Sequence, residues 1–476
     1  MRLIASAVFL AVTAVAQKPD QPANVELTFE EVATQQHYRQ QLRPQLHYTP
    51  VQGHIGDATG LVYHYGEFHL FNMYDAWSQK RTLHKQWGHA VSNDLIHWTQ
   101  MPAILDKVLD NSPGSGSAVV DWNNSSGLRK GAEKTLVVFY TDYKRGTCMI
   151  YSTDRGRTWT RHELNPILPG VEEIRDPTVF WYAPAKEWRM LRYEKNGFAF
   201  YKSSDLFKWT YLSRIEGFHE CPDLIHLPVE NLPGQSRWVL VNGGGQYVVG
   251  DFDGTKFVPQ TEHLKTEYAK PLYAGQTWKP NMDGLGPYYY IAWMRYPFEP
   301  RLSWNSQMSF PVELTLRSFP EGIRLCRKPV DQIGTLRTAQ QSWTNTAVLP
   351  EIKGELLDIE AELEIPASGD VGLMVHGQEI RYSKADGKLL SGTATAPLKL
   401  SGNRLKLRII VDRPSLEVYA DEGQVSLSTV SLVEKTDTTV RLLEGTKSRV
   451  TALTVNHLES IWPEINAEKF VAKTSR

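Results

Sequence analysis

Ser92-Asn93-Asp94-Leu95-Ile96-His97-Trp98 returns as Ser152-Thr153-Asp154-Arg155-Gly156-Arg157-Thr158-Trp159 and again as Ser203-Ser204-Asp205-Leu206-Phe207-Lys208-Trp209. A fainter copy is Asp251-Phe252-Asp253-Gly254-Thr255-Lys256-Phe257. The spacing of about fifty to sixty residues is that of propeller blades or slightly longer. Each copy follows a strand-like run, such as Gly197-Phe198-Ala199-Phe200-Tyr201. Each reads as a hairpin tip, in which Ser and Asp side chains bond the turn backbone and the closing aromatic packs between strands. Asp94, Asp154 and Asp205 are therefore structural acids in this reading.

Around these tips, β-branched and aromatic runs end near Gly, Asn or Asp, as in 61–65, 135–140, 238–241 and 288–293. Spreading the repeat over 41–328 gives about five units, hence an all-β fold opening with a five-bladed β-propeller. A propeller brings loops of successive blades to one mouth, so residues far apart in sequence can share a site. The polar segment 329–345 reads as a linker. Short alternating strands with turn residues then suggest a β-sandwich over 346–460, followed by a tail, 461–476. Asp412, Arg413 and Glu417 read there as a strand-turn-strand with a local ion pair.

Three acidic segments stand out against this frame: His54-Ile55-Gly56-Asp57-Ala58-Thr59-Gly60, Ile174-Arg175-Asp176-Pro177 and His219-Glu220-Cys221-Pro222-Asp223. Each places an acid beside a turn-forming residue. Two carboxyls across a glycosidic bond are what sugar hydrolysis needs, one to attack or activate water and one to protonate the leaving oxygen. A neighbouring guanidinium favours the ionised carboxylate, as Arg175 does for Asp176 in this reading.

Composition narrows the alternatives. A formal net charge of −1 argues against nucleic acid or an anionic membrane as the main partner. Three cysteines do not make a disulfide framework, although Cys148 and Cys326 could pair. Neither zinc spacing nor a calcium loop is found, so neither metal nor cofactor is expected. Arg2, the apolar stretch 3–15 and Ala14-Val15-Ala16 read as a signal peptide over 1–16, with an N-terminal segment over 17–40. A secreted or periplasmic location follows from that reading. The sequence leaves oligomeric state open.

Between and around the acids lie Leu46-His47-Tyr48-Thr49-Pro50, Gly60-Leu61-Val62-Tyr63, Trp87-Gly88-His89-Ala90-Val91-Ser92, Asp94-Leu95-Ile96-His97-Trp98 and Ser115-Gly116-Ser117-Ala118-Val119. In this order they resemble glycoside hydrolase family 32, the invertases, levanases, inulinases and fructan exohydrolases, from about 42 to 458. The stretch 407–419 is similar to that family's sandwich signature. The resemblance implies Asp57 as nucleophile, Asp176 as transition-state stabiliser and Glu220 as general acid/base. It also implies Arg175, Trp87, Ser115, Tyr273 and Trp293 as substrate-binding positions, while His89 reads as structural. The expected partner is an oligosaccharide or polysaccharide of β-fructofuranosyl units. A retaining mechanism would place Asp57 and Glu220 about 5 Å apart, with Glu220 raised in pKa to hold a proton.

The nucleophile loop departs from the family's Trp-Met-Asn-Asp-Pro-Asn-Gly. His54 replaces Trp, Gly56 the first Asn, Ala58 the Pro and Thr59 the second Asn. Met73 stands where a Gln is expected, and Gly114 where an aromatic precedes Ser-Gly-Ser. Each polar partner removed from a buried sugar hydroxyl costs roughly 1–3 kcal/mol. The pocket is thus either reshaped, with His54, Thr59 and Asp75 as new contacts, or kept for binding without turnover. A fructosyltransferase and an arabinofuranosidase-like enzyme stay open beside the hydrolase.

Overall fold

The computed structural model describes residues 11–12, 37–80, 86–105, 113–170, 172–279, 287–400, 402–462 and 470–471. The signal-peptide reading and most of the proposed N-terminal segment and tail lie outside the described residues.

Among the described residues, five antiparallel sheets of four main strands follow one another through the first two thirds of the chain. Their first strands are Gly53–His64, Pro113–Asp121, Ile174–Tyr182, Asp223–Pro228 and Leu272–Trp278. Gly53–His64 touches both Pro113–Asp121 and Leu272–Trp278, and Pro113–Asp121 touches Ile174–Tyr182. The sheets are thus blades round a central axis, with these strands innermost. Trp304–Asn305 closes the ring by pairing in parallel with Gly53 and His54 of the first blade.

The repeated motifs sit between the third and fourth strands of four blades. Asp94 accepts the backbone N–H groups of Ile96 and His97 at 2.9 and 2.8 Å. Asp205 does the same for Phe207 and Lys208 at 2.9 Å each, and Asp253 for Thr255 and Lys256 at 2.7 Å each. Asp154 binds Thr158 through N–H and hydroxyl. These acids are occupied in turns, as their spacing predicts.

Among the described residues, two six-stranded antiparallel sheets form the C-terminal sandwich, around a core of Ile, Leu and Val side chains including Ile359, Leu373, Ile409 and Val455. The linker reading of 329–345 is corrected. Arg337–Thr346 is a ten-residue edge strand of the sandwich, paired with Val450–Leu458. It escaped notice because both its faces are largely exposed, so it shows no apolar alternation.

The domains meet through buried polar groups. His47 of the propeller lies 2.6 Å from Asp412 and 2.7 Å from Glu417. Asp412 also accepts the N–H groups of Gln45 and Leu46. The expected local ion pair is therefore corrected: Asp412 and Glu417 reach across to the propeller, while Arg413 pairs with Glu355 at 2.8 Å. Cys148, Cys221 and Cys326 are all free and buried; Cys148 belongs to the second blade and Cys326 to the fifth.

Candidate active site

At one end of the channel the inner strands leave regular pairing together. Register shifts fall between Ile55 and Ala58, Gly114 and Gly116, Arg175 and Thr178, and Tyr273 and Gln276. Asp57, Ser115 and Asp176 sit inside three of these bulges. A β-bulge re-aims a side chain that regular pleating would send to a blade face. The fourth blade contributes Glu220, three residues before its inner strand.

The acids form one connected group. Ser115 donates its hydroxyl to Asp57 Oδ2 at 2.7 Å. Asp176 accepts the backbone N–H of Cys221, at 3.0 Å, on Oδ2. Arg175 donates from Nε to Glu220 Oε2 at 2.9 Å and lies 3.8 Å from Asp176 Oδ2. Tyr273 donates its phenol proton to Glu220 Oε1. Arg175 is itself backed by the Tyr193 ring, 4.2 Å below its guanidinium carbon.

Backbone strain marks the same place. Asp176 has φ +57° and Cys221 φ +48°, a region L-residues enter rarely and hold only when neighbours fix them. The Asp176 N–H is fixed by Thr141 Oγ1 at 2.9 Å. The Glu220 carbonyl is held by the Gly243 N–H at 2.9 Å. A Cβ at Gly243 would stand 3.2 Å from Cys221 Cβ and 3.4 Å from Glu220 Cγ, so the glycine lets this loop press under the acid. The sequence reading missed Thr141 and Gly243, since neither carries a charge.

The electrostatics reverse two expectations, a raised Glu220 and an Asp176 held ionised by Arg175. Burial, and next the charge of Asp57, raise Asp176 to about 7. Burial also pushes Glu220 upward, but the hydrogen bonds of Tyr273 and Arg175 and the charge of Arg175 outweigh it. They hold Glu220 below its ordinary value. The carboxyl that keeps a proton near neutrality is thus Asp176, not Glu220.

Of the other predicted positions, Trp293 and His54 come together, with ring centroids 5.7 Å apart and edge to face. Arg295 lies over both Tyr273 and Trp293. Met73 flanks the Asp57 bulge, its Cβ 3.3 Å from where a Gly56 Cβ would stand. Asp75 pairs in register with His54. Thr59 and Trp87 are corrected. Thr59 is fully buried, and its hydroxyl clamps Gly116 by donating to the carbonyl and accepting the N–H, both at 2.8 Å. Trp87 has no exposed surface; its indole N–H donates to the Gly114 carbonyl at 3.1 Å, which props the Ser115 segment from behind.

A profile described as glycosyl hydrolases family 32 N-terminal domain matches residues 47–329, and one for the family 32 C terminal matches 332–457. A levanase of Bacillus subtilis (strain 168) is 34% identical over 91% of this chain and 72% of that protein. An extracellular exo-inulinase of Aspergillus awamori is 27% identical over 82% of this chain and 89% of its own. The crystal structure of exo-inulinase from Aspergillus awamori superposes with a TM-score of 0.80 at 24% identity, covering 89% of this chain and all of that one. Fold and acid cluster define a glycoside hydrolase. The chain belongs to glycosyl hydrolases family 32.

Proposed function

We propose that this protein is a secreted, retaining hydrolase of β-fructofuranosides such as sucrose, levan or inulin. The observation that carries the reading is the convergence of Asp57, Asp176 and Glu220 from separate blades into one group with Ser115, Arg175 and Tyr273. Relatives named levanase and extracellular exo-inulinase support both the substrate class and export.

In this mechanism Asp57 attacks the anomeric carbon, oriented by the Ser115 hydroxyl. Glu220 protonates the leaving oxygen, then deprotonates the water that hydrolyses the glycosyl-enzyme ester. Asp176 binds ring hydroxyls. Hydroxyls donating to Asp176 favour its ionised form, and the charge that then develops beside Glu220 raises Glu220. Substrate thereby moves the cluster's single proton to the group that uses it.

Sugar release from sucrose, inulin, levan and aryl furanosides, with Asp57→Asn as the blank, tests the reading. Fructose released by the wild type and absent from the blank is the expected result. Longer oligosaccharides at high sugar would mean transfer instead. Release from an aryl arabinofuranoside alone, or sugar-dependent stabilisation without turnover, would replace the proposal.

A further inference from the structure

Tyr143 opens the short connection 143–145 between Thr135–Asp142 and Gly146–Ser152, the second hairpin of the second blade. Its ring lies on Gly114. A Cβ built on Gly114 would stand 2.8 Å from both Cζ and Oη of Tyr143, so only a residue without a side chain lets the ring come this close. The neighbour of Gly114 is Ser115, which holds Asp57. Two residues before Tyr143 is Thr141, which holds the backbone of Asp176. The ring is thus bracketed by the supports of two acids.

A core tyrosine that merely covered the glycine would be buried, whereas Tyr143 is 50% exposed. The connection that carries it is braced. Asp142 accepts the Lys144 N–H at 3.0 Å and the Arg145 Nε at 2.7 Å, and the Arg145 carbonyl accepts the Gly170 N–H at 3.1 Å. Burial of the phenol group, and next the Asp176 and Asp57 carboxyls, push it above its ordinary value while half of the residue's surface stays open. A braced aromatic face, open to solvent and within the field of two acids, suits the apolar C–H face of a sugar ring.

We infer that Tyr143 is a substrate-contacting, specificity-determining residue, its ring forming the wall against which the sugar seated between Asp57 and Asp176 packs. This rests on the glycosidase reading above. It also accounts for Gly114: the wall is supplied by a hairpin tip rather than by the inner strand.

The test compares wild type with Tyr143→Ala, Tyr143→Leu and Tyr143→Phe in steady-state hydrolysis of sucrose and levan, with free fructose as competitive inhibitor and thermal unfolding as the control for folding. Loss of a stacking face should raise KM and the fructose inhibition constant about tenfold in the Ala and Leu variants, with a smaller change in kcat. The Phe variant should stay within about threefold of wild type, and the unfolding temperatures should be close. Leu keeps Gly114 covered, so it decides the matter if Ala fails to fold. KM and fructose inhibition unchanged in the Leu variant, beside an active wild type, overturn the role of Tyr143 alone. A wild type that releases no sugar from any fructoside overturns the glycosidase reading, and this inference with it.

Discussion

His47 Nδ1 and Asp412 Oδ2 lie 2.6 Å apart in a fully buried contact that ties the propeller to the sandwich. Burial disfavours a proton on His47, but hydrogen bonds to Asp412 and Glu417 outweigh it and raise the imidazole to about 9. A histidine raised in the folded state contributes stability that is complete below its unfolded value near 6.5. That contribution is lost as pH rises through about 9. Thermal scans should therefore show the wild type losing stability between about pH 6.5 and about pH 9, and His47→Ala losing less. At neutral pH, His47→Ala leaves two buried carboxylates without their cation and should cost about 3–5 kcal/mol in urea unfolding. An unchanged urea midpoint would show that the contact contributes nothing.

Asp176 is raised to about 7 in the fold, so its sign is the opposite of an ordinary ion-paired acid. Between its unfolded value near 3.9 and 7 the folded state holds the extra proton, and stability falls as pH rises across that window. Asp176→Asn should be more stable than wild type at pH 8 by up to a few kcal/mol, with the difference vanishing near pH 4. Calorimetry at the two pH values checks this. A difference that does not change with pH would contradict it.

The same proton sets an activity limit. If the cluster must hold one proton to work, kcat/KM should fall on the alkaline side with an apparent pKa near the value of Asp176, about 7. A profile flat to about pH 9 would sink the shared-proton mechanism.

Thr59 offers a contrast. Thr59→Val removes the hydroxyl that satisfies both the N–H and the carbonyl of Gly116. It should cost roughly 1–3 kcal/mol of stability. KM for fructosides should stay within about twofold, because the hydroxyl is taken up by the neighbouring strand. A large rise in KM would restore Thr59 as a substrate contact.

Asp57, Asp176 and Glu220 stand out in the sequence because the segments around them resemble family 32; three acids in loops are weak evidence by themselves. The structural roles of Thr59 and Trp87 were not legible. The bulges at 55–58 and 59–62 break the period of two, so counting along the strand cannot say which face a residue takes. The lowered Glu220 depends on Tyr273 and Arg175 reaching across blades, and the raised Asp176 on its burial and on Asp57 from another blade. The His47–Asp412 contact joins residues 365 positions apart, and no local pattern announces such a pair. Tyr143 was hidden because the departure visible in sequence was the glycine it covers, not the ring itself.

Ring closure by Trp304–Asn305 on Gly53 and His54 has a consequence in time. The strand bearing Asp57 leaves the ribosome about 250 residues before its last partner. At roughly 5–20 residues per second that is a wait on the order of 10–50 s. Through that interval a nascent chain carries Asp57 without the strand that completes its blade. Competence to cut sugar arrives late and at once, when the ring locks.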